Sequence, residues 1–98
     1  MALAEKYVIL FQKECTSLSK TVLKNLENLS KNPRDHEALE NMLQVADTII
    51  GDSRFINHKE LEIASMLLVK AFNNVEDVSQ KSKEIEFFTK VFIKIINR

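Results

Sequence analysis

One glycine and one proline in 98 residues leave this chain almost without the residues that tight turns require. A sheet protein of the same length needs a turn about every ten residues, commonly built on glycine, proline or asparagine. The sequence therefore reads as all-α. Its length suits one domain with a single hydrophobic core.

The apolar spacing divides the chain into four helical segments. In the first, Ala4, Val8, Phe11, Cys15, Leu18, Val22, Leu26 and Leu29 recur at steps of four and three, the seam of a helix that packs along its whole length. Tyr7 and Leu10 widen that stripe, whereas Ile9 and Leu23 point away from it. Lys31-Asn32-Pro33 ends the segment, because the residue before proline is pushed out of the α region and Pro33 suits a first helical turn. A second helix then begins at Pro33, with Asp35 and Glu37 at its positive end. It buries Leu39, Met42, Leu43, Ala46, Ile49 and Ile50, and frays between Gly51 and Asn57, asparagine being well able to take a left-handed backbone. The third segment buries Leu61, Ala64, Leu67, Leu68, Ala71, Phe72 and Val75 and leaves Ile63, Met66 and Val69 outside. After a loop near Asn73-Asn74, the fourth turns Ile85, Phe88, Val91, Phe92, Ile95 and Ile96 inward, with Phe87 at the edge and Ile93 outside. The expected architecture is an antiparallel up-down-up-down four-helix bundle, with helices at about 2–30, 34–51, 58–74 and 78–97.

Charge narrows the function. Fourteen basic and fourteen acidic side chains balance and are interspersed, so there is no basic footprint for nucleic acid or for an anionic membrane surface. The longest apolar run, Tyr7 to Phe11, is far too short to span a bilayer, and no basic region followed by an apolar one opens the chain, which points to a cytoplasmic protein. Cys15 has no second cysteine to bond and no ligand at metal spacing; it reads as a core residue. Phosphate-binding glycine loops, nucleotide motifs and triad signatures are absent from the sequence, so neither an enzyme nor a cofactor is expected.

The run Val45-Ala-Asp-Thr-Ile-Ile-Gly-Asp52 holds the one glycine. Asp47 and Gly51 are i and i+4 neighbours on one helical face. A glycine there costs about 1 kcal/mol relative to alanine, so either the helix is ending or something approaches closely, and the spacing leaves both open. Projected on a helix, Asp47 falls beside Leu43 and Ile50 and in line with Glu40 and Arg54, at the rim of the apolar arc.

These residues carry a resemblance. Ala46-Asp-Thr-Ile-Ile-Gly51 resembles the pattern A-H-S/T-I/L-K-G on the second helix of histidine phosphotransfer (HPt) domains, particularly the N-terminal domain of CheA-type chemotaxis kinases. Lys31-Asn32-Pro33 and Asp35 match the family's loop before that helix, Asn57 sits where the family often has glycine, and the likeness extends from about Tyr7 to Val75. It implies a four-helix fold and partners among receiver domains and histidine kinases. Aspartate stands at the phospho-acceptor position, isoleucine where the family has lysine, and Asp52 where it has a small residue.

Phosphoryl transfer in that family needs an imidazole nucleophile and a nearby cation. Asp47 supplies no imidazole and Ile50 no cation, and no acid cluster that would hold Mg²⁺ around Asp47 is evident in the sequence. Asp47 reads instead as a solvated rim acid within reach of Arg54. The expectation is a degenerate, non-phosphorylatable interaction module whose docking surface comprises Leu43, Gln44, Asp47, Ile50, Gly51 and Arg54, bordered by the helix-three residues from Leu61 to Leu68. The alternatives are phosphotransfer through a displaced histidine, His36 or His58, and a structural helical dimerisation domain using off-stripe residues such as Ile9, Leu23, Phe87 and Ile93.

Overall fold

The structure, a computed structural model, describes the backbone of residues 2–97 and the side chains of Lys6 and residues 9–97. Four helices pack against one another: α1 (Ala2–Lys31), α2 (His36–Phe55), α3 (Lys59–Phe72) and α4 (Ser82–Ile96), the last preceded by a 3₁₀ turn, Val78–Lys81. A 30-residue helix is about 45 Å long at 1.5 Å per residue, so α1 spans the 44 Å long axis of the molecule. Among the described residues no helix is long and apolar enough to cross a membrane.

The predicted stripes account for most of the core. Phe11, Cys15, Val22 and Leu29 of α1 meet Met42, Ala46 and Ile49 of α2, Leu61, Ala64, Leu68 and Phe72 of α3, and Phe88, Val91, Phe92 and Ile95 of α4. Phe88 and Phe92 stack with centroids 5.6 Å apart. The stripe positions Ala4, Tyr7 and Val8 lie outside the described side chains. Two stripe residues are corrected: Leu10 is 49% exposed and Leu67 42%, each lying at the edge of its helix's apolar arc. In the other direction Val69, expected outside, packs partly against the core, as does Phe87. Three buried polar residues, Asn25, Ser53 and Ser65, were hidden by their polarity. Ser53 and Ser65 join Ala46 and Ala64 as small interior residues on α2 and α3, which share the most extensive helix contact.

The helix ends also differ from expectation. Pro33 does not open α2. Asp35, extended at φ −68° and ψ 99°, is its N-cap and accepts from the Ala38 N–H at 3.1 Å, satisfying one of the first turn's orphan donors. Nor does α2 fray at Gly51. It runs on to Phe55 because Ser53 is interior and because a complete stop signal comes later, at the left-handed Asn57 (φ 61°). The Asn57 N–H donates to the Arg54 carbonyl at 3.1 Å and the His58 N–H to the Ser53 carbonyl at 2.8 Å, the two crossed bonds of a Schellman motif with asparagine in the usual glycine place. A second left-handed asparagine, Asn74 (φ 62°), follows α3. Residues 78–81, expected to be α-helical, form a 3₁₀ turn because Asp77 accepts from the Ser79 N–H at 2.8 Å and the Val78 N–H is drawn to the Pro33 carbonyl at 3.0 Å. The α1–α2 turn and the α3–α4 connection are thereby joined, and Arg34 Nε lies 3.6 Å from Asp77 Oδ2 across the same junction. Hydrogen bonds from Ser79 and the nearby Arg34 hold the Asp77 carboxyl below the usual carboxylate range.

Candidate functional site

Asp47, Gly51 and Arg54 follow one another along the exposed side of α2 at the four- and three-residue steps that make one helical row. Asp47 forms no hydrogen bond or ion pair among the described residues. Gly51 is exposed and does not have a positive φ, and a methyl group on its Cα would meet nothing within 4 Å. Neither backbone conformation nor crowding by the described residues requires a glycine there.

Arg54 does not pair with Asp47. Its Nε donates to Glu62 Oε2 at 2.8 Å, and Nη2 lies 3.9 Å from the Met66 sulfur. The cause is the Asn57 turn, which folds the first turns of α3 back beside the end of α2. Of the remaining expected surface residues, Gln44 is exposed and Leu43 half-buried against the core. Ile50 is only 9% exposed, so it belongs to the interior and not to the surface. On α3, Leu61, Ala64 and Leu68 are likewise interior, whereas Ile63, Met66 and Leu67 are 51%, 44% and 42% exposed. What solvent meets is therefore a polar row on α2 with a gap at Gly51, bridged by Arg54 to an apolar row on α3.

The opposite flank of α2 holds a group of residues that sequence reasoning missed. Glu14 of α1 and Asp52 of α2 line a cleft of about 160 Å³ together with Leu10, Phe11, Phe55 and Ile56. Asp52 Oδ2 is buried without a conventional donor. The group placed to supply one is the Glu14 carboxyl, once protonated: its hydrogen bond to Asp52, with some loss of solvation and the repulsion of the Asp52 charge, raises the Glu14 pKa above its ordinary value. The i±3 and i±4 neighbours of both acids, Leu10, Phe11, Ser17 and Leu18 for Glu14 and Thr48, Ile49, Phe55 and Ile56 for Asp52, include no cation to relieve the pair. Burial first, then the same two carboxylates, push the Cys15 thiol up to about 12, so the cysteine is a neutral core residue.

The two histidines lie apart from the Asp47 row. His36 is exposed at the first residue of α2. His58 is the N-cap of α3, its Nδ1 accepting from the Leu61 N–H at 3.3 Å, a bond that ties up the Nδ1 lone pair and leaves the proton of the neutral ring on Nε2. No three His, Cys, Asp or Glu side chains converge to hold a metal ion among the described residues.

No family model, curated protein or solved structure matches this chain. The phosphotransfer resemblance, from about Tyr7 to Val75, thus rests on the sequence pattern alone.

Proposed function

We propose that this chain is an HPt-like protein-interaction module of cytoplasmic two-component or chemotaxis-type signalling that carries no phosphoryl group of its own. Gly51 is the observation that carries the reading. A solvent-exposed glycine inside a helix costs about 1 kcal/mol relative to alanine, and no group among the described residues uses the space it leaves. The space is available to another protein. Around it stand Leu43, Gln44, Asp47 and Arg54, with the exposed Ile63, Met66 and Leu67 beyond, a mixture of shallow relief, charge and apolar area suited to a small, reversible interface.

Asp47 selects the partner and limits the affinity. A response-regulator receiver domain presents an acidic pocket, which repels Asp47 unless a divalent cation bridges the two, so docking is weak and responds to Mg²⁺. A histidine kinase is the other partner of the same chemistry. The test is an NMR titration with receiver domains from the same organism: shifts should centre on Asp47, Gly51 and Met66, and Gly51→Gln should diminish them without loss of helicity. Shifts confined to α1 and α4, or none with any receiver, would overturn the docking surface. A phosphotransfer assay runs alongside it. Acid-labile labelling by a CheA-type kinase, abolished by His36→Gln or His58→Gln, would establish the displaced-histidine alternative instead. Restoring activity through Asp47→His with Ile50→Lys also has a structural cost, since a lysine at position 50 starts from an interior site and has to reach water along the α2–α3 seam.

A further inference from the structure

The apolar seam of α1 is broken once by a buried polar residue. Cys15, Leu18, Val22, position 25 and Leu29 follow one another at steps of three and four, yet position 25 is asparagine, and Asn25 is only 6% exposed. Its Nδ2 donates to the Thr21 carbonyl at 2.7 Å, and its Oδ1 accepts from Asn41 Nδ2 at 3.3 Å. At this pair the α1–α2 seam opens into a cleft of about 380 Å³, lined by both asparagines together with Lys24, Asn28, Asp35 and Glu37. Small-molecule pockets span about 300–1,000 Å³, so the cleft has room for a small ligand. A buried asparagine pair can fix the register of two helices. That accounts for Asn25 and Asn41 but for none of the polar groups around them. The side chains of Lys24, Asn28 and Glu37 form no hydrogen bond or ion pair among the described residues. Asp35 uses Oδ1 to cap α2 at the Ala38 N–H and joins no ion pair there.

We infer that this cleft binds a small zwitterion of the amino-acid class, its ammonium toward Asp35 and Glu37, its carboxylate toward Lys24. The placement of the charges selects that ligand. Asp35 and Glu37 precede Asn41 by six and four residues, which sets them about 6–9 Å from it along the axis of α2 at 1.5 Å per residue. Lys24 adjoins Asn25, the residue that bonds Asn41, so the acids and the ammonium stand at opposite ends of the cleft. A simple anion there meets two carboxylates and a simple cation meets the ammonium, whereas a molecule carrying both signs answers all three. The flexible stem of Lys24 can follow the ligand's carboxylate inward. Between the charges, the carboxamides of Asn28 and Asn41 supply donors and acceptors alike for a polar side chain or backbone. The lining residues include no aromatic ring on which a nucleobase would stack. None of them belongs to the surface proposed for docking, so the two sites stand or fall separately.

Proton–nitrogen NMR of the intact chain resolves asparagine side-chain amides, and titration with each common L-amino acid to about 10 mM reads binding at the cleft directly. At least one amino acid should shift the carboxamide signals of Asn25, Asn28 and Asn41. Its N-acetyl derivative and its C-terminal amide, each lacking one charge, should bind about tenfold more weakly. Glu37→Gln should weaken the free amino acid about threefold and leave the N-acetyl form unaffected, while Lys24→Gln should do the same with the amide as the unaffected form. Both positions are exposed, and circular dichroism checks that the helices are kept. Absence of those shifts with every amino acid overturns the inference. So does a ligand whose two capped forms bind as tightly as the free one, or an equal response to calcium chloride or to glycerol, which would mark a cation site or an unselective polar surface.

Discussion

Glu14 is a surface residue by sequence and shares a cleft with a buried carboxylate oxygen by structure. Its carboxyl faces Asp52 across the α1–α2 seam, and its pKa is raised above the ordinary 4.5 by that hydrogen bond first and by burial second. The sign of the linkage follows: the folded state favours the protonated acid, so the contribution to stability is fully present below about 4.5 and is lost as pH rises through the raised folded value. Above that range two carboxylates confront each other. Glu14→Gln keeps a donor for Asp52 and removes the charge, so it should stabilise the fold at pH 7, by less than about 1 kcal/mol because Glu14 is well exposed to screening. At pH 4 the gain should vanish. Urea unfolding at the two pH values checks this, and an equal gain at both would show that packing, not charge, is responsible. The pairing is not legible in the sequence. Reading Glu14 as a partner of Asp52 requires the register between two helices, and a linear sequence carries periodicity within a helix but not the offset between helices.

At the scale of elements, α2 shows where sequence reading succeeds and where it misses. Its interior face is legible because apolar residues at three- and four-residue steps line one side of a helix and match no strand period, and the same holds for most of α1, α3 and α4. Its ends are not. Asp35 caps instead of extending the first turn, and the stop that Gly51 suggests is made more than a helical turn later, by the crossed hydrogen bonds of the Asn57 turn. The surface proposed for docking is half legible in its exposure: Asp47, Gln44 and Gly51 are exposed as expected, while Ile50 is interior and Arg54 is drawn to Glu62 by a turn whose geometry spacing does not reveal. An uninterrupted α2 leads to a clear expectation. Gly51→Ala, with nothing within 4 Å to obstruct the new methyl group, should raise the stability of the isolated chain by about 1 kcal/mol, measured by thermal or urea unfolding. A loss of stability would mean that the helix is interrupted at this point in solution.

For the molecule as a whole, the α1–α2 turn and the α3–α4 connection are tied by the bond from the Val78 N–H to the Pro33 carbonyl and by the Arg34 and Asp77 charges, so all four helices are held at one end of the bundle. At the other end the Glu14 and Asp52 carboxylates weaken the α1–α2 seam at neutral pH. Opening is therefore expected to start at the Glu14 end, and amide hydrogen exchange should find the residues around Glu14 less protected than those around Val22 and Leu29. Cys15 sits beside that weaker end, completely covered and with its thiol held neutral to about 12. A thiol-labelling reagent meets it only in molecules that have come apart there. The rate at which the native chain is alkylated is thus a clock for that opening, already built into the wild-type sequence, and it should slow when Glu14→Gln removes the repulsion and run no faster when the exposed Asp47 is altered.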